Sequence, residues 1–165
     1  KGCSKACPEC ISPEMAEIGN AQNVDVQDIF IIIRNIYEQE AFDGITISGG
    51  DPLEQLPELL LLLERMRELT DDILVYTGYV WDEYKKTLTV EERTKLETCI
   101  SVLIDGPYVH EKNEKDLTLR GSANQKIIFF DEGKRESYEA YIKEGRKLQN
   151  LYMGNGLLIV GIMDK

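Results

Sequence analysis

The chain has 165 residues, 42% of them apolar and 30% charged, the composition of one folded domain with a core of its own. Its 30 Asp and Glu outweigh 19 Lys and Arg, and a formal charge of −11 argues against a nucleic-acid partner, because phosphate binding needs surplus cations. No apolar run exceeds Leu59–Leu63 in length, far short of the roughly 18 residues of a membrane span, so no membrane association is expected.

The chain opens on Lys1-Gly2-Cys3, without an initiator Met or a signal-peptide pattern, and a further strand is expected upstream. Three of the four cysteines follow at once: Cys3, Cys7 and Cys10, spaced C-x3-C-x2-C. Disulfides among them would close tiny, strained loops and leave one thiol over, so the cluster points to a metal site in a reducing compartment. Zinc and iron–sulfur clusters both take thiolates, but structural zinc wants four ligands. The other candidates are Cys99, beside the apolar run Ile100–Ile104, and the single histidine, His110, in a charged segment. Cys99 reads as a core thiol and His110 as a solvated loop residue. Three thiolates leave one iron of a cubane without a protein ligand, open to a small chelating molecule. Structural zinc stays an alternative at this point.

Asp25 is expected to cap a helix whose apolar positions Val26, Ile29, Ile33, Ile36 and Tyr37 keep a helical period to about Glu40. Gly44–Ser48 reads as a short buried strand, broken by Gly49-Gly50-Asp51-Pro52. A second helix is predicted from Pro57 to Leu69, and Asp71-Asp72 read as solvated turn acids. Ile73–Thr77 is the next strand, then helical material at Trp81–Lys86 and Val90–Glu97, and a third strand at Ser101–Ile104 ended by Asp105-Gly106-Pro107. The polar stretch Val109–Gln125 is predicted to be a long functional loop. A fourth strand at Lys126–Phe130, a charged helix at Glu136–Lys147 and a last strand at Leu157–Ile162 complete the chain.

Alternating strands and helices predict an α/β fold with a mostly parallel sheet and right-handed crossovers. Chemistry in such folds gathers at the carboxyl ends of the strands. Three ends are conspicuous: Ser48–Pro52, Thr77-Gly78-Tyr79 and Asp105-Gly106-Pro107. The glycine pair lets main-chain groups approach a ligand closely, but it lacks the Gly-Lys-Ser/Thr of a phosphate loop and G-x-G-x-x-G. Asp105 is placed either to meet a ligand or cation or to cap the following turn.

Five segments, in order over residues 3–130, carry a resemblance: Cys3–Cys10 with Ser12-Pro13-Glu14, Gly44–Pro52, Tyr76–Tyr79, Leu103–Tyr108 and Arg120–Gln125. Together they resemble the radical S-adenosylmethionine enzymes, most nearly the small activating proteins of anaerobic ribonucleoside-triphosphate reductase. The resemblance implies a partial (β/α) barrel of the radical SAM type, with residues 1–165 forming a single such domain. It implies a [4Fe–4S] cluster on Cys3, Cys7 and Cys10 whose fourth iron binds S-adenosyl-L-methionine. It further implies that Ser48, Gly49, Gly50, Asp51, Pro52, Thr77 and Asp105 lie near that cofactor. Arg120, Ser122 and Asn124 would serve the cofactor or a partner protein.

The activity implied is reductive cleavage of S-adenosylmethionine to a 5′-deoxyadenosyl radical, which makes a glycyl radical on a larger partner such as anaerobic ribonucleotide reductase. A low-potential donor such as flavodoxin or ferredoxin would supply the electron, and a cytoplasmic location would follow from the oxygen-sensitive chemistry. Radical chemistry on another glycyl radical enzyme, a peptide or a small molecule is the enzymatic alternative, and a non-catalytic iron–sulfur or zinc module the other. The chain departs from the family pattern at three positions. Asp51 stands where Glu is usual, Glu9 where many radical enzymes carry an aromatic, and Ser12 where Asn is frequent.

Overall fold

A computed structural model describes residues 2–10, 12–16, 22–153 and 156–161. Four strands, β1 (Ile45–Ile47), β2 (Ile73–Tyr76), β3 (Val102–Asp105) and β4 (Lys126–Phe129), form one open sheet in that spatial order. β1 pairs parallel to β2 and β2 parallel to β3, with Thr46 opposite Leu74 and Val75 opposite Leu103. Their connections run through helices, as parallel pairing requires. β4 pairs antiparallel to β3, and Asp105 faces Lys126. The segment between them supplies no crossover helix, only a 3-10 turn at His110–Lys112, so the chain leaves and re-enters the sheet at the same end.

α1 (Val26–Gln39) begins at Asp25, whose carboxylate accepts the Gln27 N–H at 2.7 Å. α2 (Leu56–Met66), the short α3 (Trp81–Tyr84) and α4 (Val90–Cys99) follow, and α4 starts with a capping box between Thr89 and Glu92. One face of the sheet, through Ile73, Val75 and Leu103, packs with Phe30, Leu59, Leu63, Met66 and Leu96 from α1, α2 and α4. The other face, through Leu74, Val102 and Ile104, meets Leu119 and Tyr138 of α5 (Arg135–Lys143). β2 and β3 are thus covered on both sides, which is why they read as unbroken apolar runs.

Several expectations need correcting. In α1 Phe30 is the most buried residue and Val26, Ile29, Ile33 and Tyr37 of the expected stripe are half-buried, whereas Ile36 is 53% exposed and faces outward. α2 ends at Met66, not Leu69. Asp72 is not a solvated turn acid; it is half-buried and accepts the Tyr138 hydroxyl at 2.8 Å, tying α5 to the sheet, whereas Asp71 is exposed and pairs with Lys134. The last helix stops at Lys143, because Gly145 takes a left-handed φ of +80° and ends it. β5 (Leu148–Met153), which the sequence reading did not foresee, pairs antiparallel with β6 (Gly156–Gly161) in a separate two-stranded sheet. The expected end of the last strand at Ile162 lies outside the described residues.

The end of the sheet opposite the glycine turn is closed by one serine. Ser101 is 1% exposed; its hydroxyl donates to the Asp71 carbonyl at 2.6 Å and accepts the Ile73 N–H at 3.1 Å. Its own carbonyl takes the N–H groups of Phe130 and Asp131, so β2, β3 and β4 share one anchor.

Candidate functional site

The carboxyl ends of β1, β2 and β3 form a rim, and the cysteine loop lies over the first two. Residues 2–10 carry no regular element. The loop is closed by the Gly2 and Cys3 N–H groups donating to the Met15 carbonyl at 2.7 and 2.9 Å. Ala6 and Glu9, each just before a cysteine, take left-handed φ values of 42° and 57°. Such turns cost a non-glycine residue about 1 kcal/mol. Cys3 and Cys7 are half-buried and Cys10 is exposed; the Cys10 N–H donates to the Cys7 carbonyl at 3.2 Å.

Gly50 lets the loop approach. A Cβ at Gly50 would lie 3.5 Å from the Cys3 Cβ and 3.9 Å from that of Met15. Gly49 has a φ of +120°, a conformation that glycine alone adopts easily. Over β2, the Lys5 stem covers Gly78, and its ammonium sits 2.9 Å from the centroid of the Tyr79 ring. Ser4 donates its N–H to both oxygens of Glu54, at 3.1 and 2.9 Å, and its hydroxyl to the same carboxylate.

Asp51 is 6% exposed and its carboxylate is filled from inside the protein. It accepts the Leu53 N–H at 3.1 Å, the Thr77 hydroxyl at 2.9 Å and the Gly78 N–H at 2.9 Å. The first contact caps the 3-10 turn Pro52–Gln55. That two-residue reach suits aspartate, and a glutamate would be one methylene too long for it. Burial pushes the Asp51 carboxyl above its ordinary value, with the hydrogen bonds from Thr77, Gly78 and Leu53 and the nearby Lys5 charge working the other way. Thr77 is thereby committed to Asp51 and to the Tyr79 N–H at 3.1 Å.

Asp105 is likewise occupied, accepting the Trp81 N–H at 2.8 Å, where α3 begins, and the Lys126 N–H at 3.1 Å. Beside it, the loop 106–125 is gathered by Gln125, whose Oε1 accepts the Gly121 and Ser122 N–H groups while its Nε2 donates to the Gly106 carbonyl. Ser122, fully buried, accepts the Val109 N–H at 3.1 Å. Arg120 donates to the Gln125 carbonyl at 3.1 Å, and Asn124 to that of Pro107 at 2.8 Å. Both keep a buried polar atom without a hydrogen-bond partner, Arg120 Nε and Asn124 Oδ1. The Gly106 N–H donates to the Tyr79 carbonyl at 2.8 Å, joining this cluster to the β2 end.

The rim therefore brings Cys3, Gly50, Asp51, Pro52 and Thr77 together, with Asp105, Arg120, Ser122 and Asn124 in an adjoining cluster, and leaves Ser48 exposed. Sequence reasoning missed Glu54 and Gln125 as organising residues. Glu54 acts across 50 positions, which no local pattern signals, while Gln125 stood at the end of a quoted segment. Cys99 ends α4, half-buried against the main core, and His110 is half-buried with Nδ1 3.3 Å from the Tyr108 hydroxyl.

Among the described residues, no three Cys, His, Asp or Glu side chains converge on a point that could hold a single metal ion. A cubane makes a different demand, since each thiolate meets its own iron corner. The donor set, three thiols on one short loop, is of the chemical kind that such a group takes.

The model of a family described as a 4Fe-4S single cluster domain matches residues 1–128. The chain is 31% identical over 131 residues to the anaerobic ribonucleoside-triphosphate reductase-activating protein of Escherichia coli (strain K12), across 76% of this chain and 82% of that protein. It is 34% identical over 143 residues to the protein of the same name from Haemophilus influenzae, across 78% of this chain and 83% of that one. A third such protein, from Vibrio cholerae, is 37% identical over 91 residues, 53% of this chain and 56% of its own length. No solved structure matches the chain.

Proposed function

We propose that this chain, which belongs to the 4Fe-4S single cluster domain family and is a relative of the anaerobic ribonucleoside-triphosphate reductase-activating proteins, is itself an activase of that kind. Its function would be to use S-adenosylmethionine to place a glycyl radical on a larger reductase, with an electron from a flavodoxin or ferredoxin, in the cytoplasm. A cluster held by Cys3, Cys7 and Cys10 would supply the single electron needed to cleave the cofactor's sulfur–carbon bond, and the radical chemistry on the partner's glycine would be the cofactor's own.

The protein's own residues bind and orient. Cys3, Cys7 and Cys10 hold the cluster. Ser48, Gly49, Gly50 and Pro52 offer the main chain of the β1 end to the methionine portion. Asp51 and Thr77 brace that turn from beneath, and Asp105 fixes the β3 end from which the loop 106–125 departs. Ser122 holds the loop from inside through Val109, and Arg120 and Asn124, each with one buried polar atom lacking a hydrogen-bond partner, would serve the cofactor or the partner protein. The open four-stranded sheet is consistent with a partial barrel of the radical SAM type, formed as one domain.

The observation carrying this reading is the seat of the cysteine loop: Cys3 against Gly50, at the end of β1. Anaerobic reconstitution with iron and sulfide, coupled to a 5′-deoxyadenosine assay, tests it. About four irons and four sulfides per chain with reductive cofactor cleavage are expected. Stoichiometric zinc without iron, or a cluster inert toward S-adenosylmethionine, overturns it. A paramagnetic glycyl signal appearing on the purified reductase identifies the partner.

A further inference from the structure

The segment Cys3–Cys7 is fastened to the rim by its two polar side chains that are not thiols. Ser4 meets the Glu54 carboxylate through both its N–H and its hydroxyl. Lys5 lies along Gly78 and over the face of Tyr79. Tyr79 is in turn backed by the Tyr84 ring at 4.5 Å, and the Tyr84 hydroxyl donates to the Leu53 carbonyl at 2.9 Å, one residue before Glu54. The contacts close a circuit from loop to Glu54, through Leu53 and Tyr84 to Tyr79, and back to the loop at Lys5. No cysteine takes part in it.

We infer that Glu54 and Tyr79 are positioning residues that hold the thiol loop on the rim before any metal arrives. The inference rests on the proposal that these cysteines carry the cluster. A metal site absent from the apo-protein must spend binding free energy on ordering its ligands. A loop placed in advance spares that cost. The means are a carboxylate taking charge-assisted hydrogen bonds and a cation over an aromatic face, both of which form without a metal.

The test uses the full chain, metal-free and anaerobic, with the rate of iodoacetamide alkylation read separately at each cysteine by peptide mass. Glu54→Gln and Tyr79→Leu should each speed alkylation of half-buried Cys3 by about five- to tenfold, the factor for losing one such interaction, and leave Cys99 unchanged. Tyr79→Phe keeps the ring face and should behave as wild type. In iron-loaded protein the two disruptive variants should also lose iron faster to a chelator. Wild-type alkylation rates at Cys3 in both disruptive variants overturn the inference, as does equal acceleration at Cys99, which reports general loosening. If wild type takes up no iron, the cluster reading fails while the metal-free alkylation rates still decide whether the clamp exists.

Discussion

The cysteine loop and the rim beneath it secure their polar groups in opposite ways. At the rim, Asp51 and Asp105 are 6% and 2% exposed, and each draws donors from segments distant in sequence: Thr77 and Gly78 for the first, Trp81 and Lys126 for the second. A buried carboxylate in a low-dielectric setting is tolerable only when filled in this way, and once filled it fixes every element it touches. The loop instead hangs from solvent-exposed contacts, and it carries two non-glycine residues in left-handed conformations. The difference separates a frame locked by buried polar contacts from a loop held at its surface by Glu54 and the Tyr79 ring.

The largest effect expected falls on the loop. Replacing Cys3, Cys7 or Cys10 by Ala should abolish 5′-deoxyadenosine formation and lower bound iron, while Cys99→Ala leaves both largely intact; loss of iron in Cys99→Ala would show that the ligands were miscounted. Next comes the frame. Asp105→Ala leaves the buried Trp81 N–H and the part-buried Lys126 N–H unpaired and should cost about 2–4 kcal/mol in urea unfolding, against little change in stability for the cysteine variants. A loss below ~1 kcal/mol would mean that water replaces the carboxylate.

A third measurement follows the charge on Asp51. Its carboxyl is held above the unfolded value, so its favourable contribution is complete below that value and fades as pH rises through the raised one. The stability gap between wild type and Asp51→Asn should therefore be widest in acid and narrow toward neutrality; a gap that widens with pH would reverse the assigned cause. The smallest effect belongs to Glu9→Gly. At φ 57° glycine relieves strain that its extra chain entropy partly offsets, so a gain of about 0.5 kcal/mol is expected. A clear loss would show that the Glu9 side chain has a role of its own.

Much of the frame was legible because β-branched runs bounded by glycine mark buried strands: β1 to β4 lie within a residue or two of their predicted places. The gathering of Ser48–Pro52, Thr77–Tyr79 and Asp105–Pro107 at one end was equally foreseeable, since parallel strands share a direction. The role of the acids was not. Whether Asp51 faces a ligand or its own chain depends on Thr77 and Gly78, which approach only after folding. Asp72 looked like any turn acid until Tyr138, 66 positions on, reached it. The run Leu148-Gln149-Asn150-Leu151-Tyr152-Met153 contains no β-branched residue, so β5 gave no signal. The overrun of α5 was avoidable, because Gly145 is the stop that helix ends favour.

Because β3 and β4 run in opposite directions, residues 106–125 depart and return at one matched pair, Asp105 and Lys126. The excursion starts and ends on that stem, and its middle is held to the frame by Leu119, packed on the sheet, and by the Tyr76 hydroxyl donating to the Leu119 carbonyl at 2.7 Å. Closing a longer or shorter loop on a fixed stem changes the entropy only logarithmically. The excursion's exposed tip around Glu114, Lys115 and Asp116 can therefore be lengthened or trimmed while the strand register stays put.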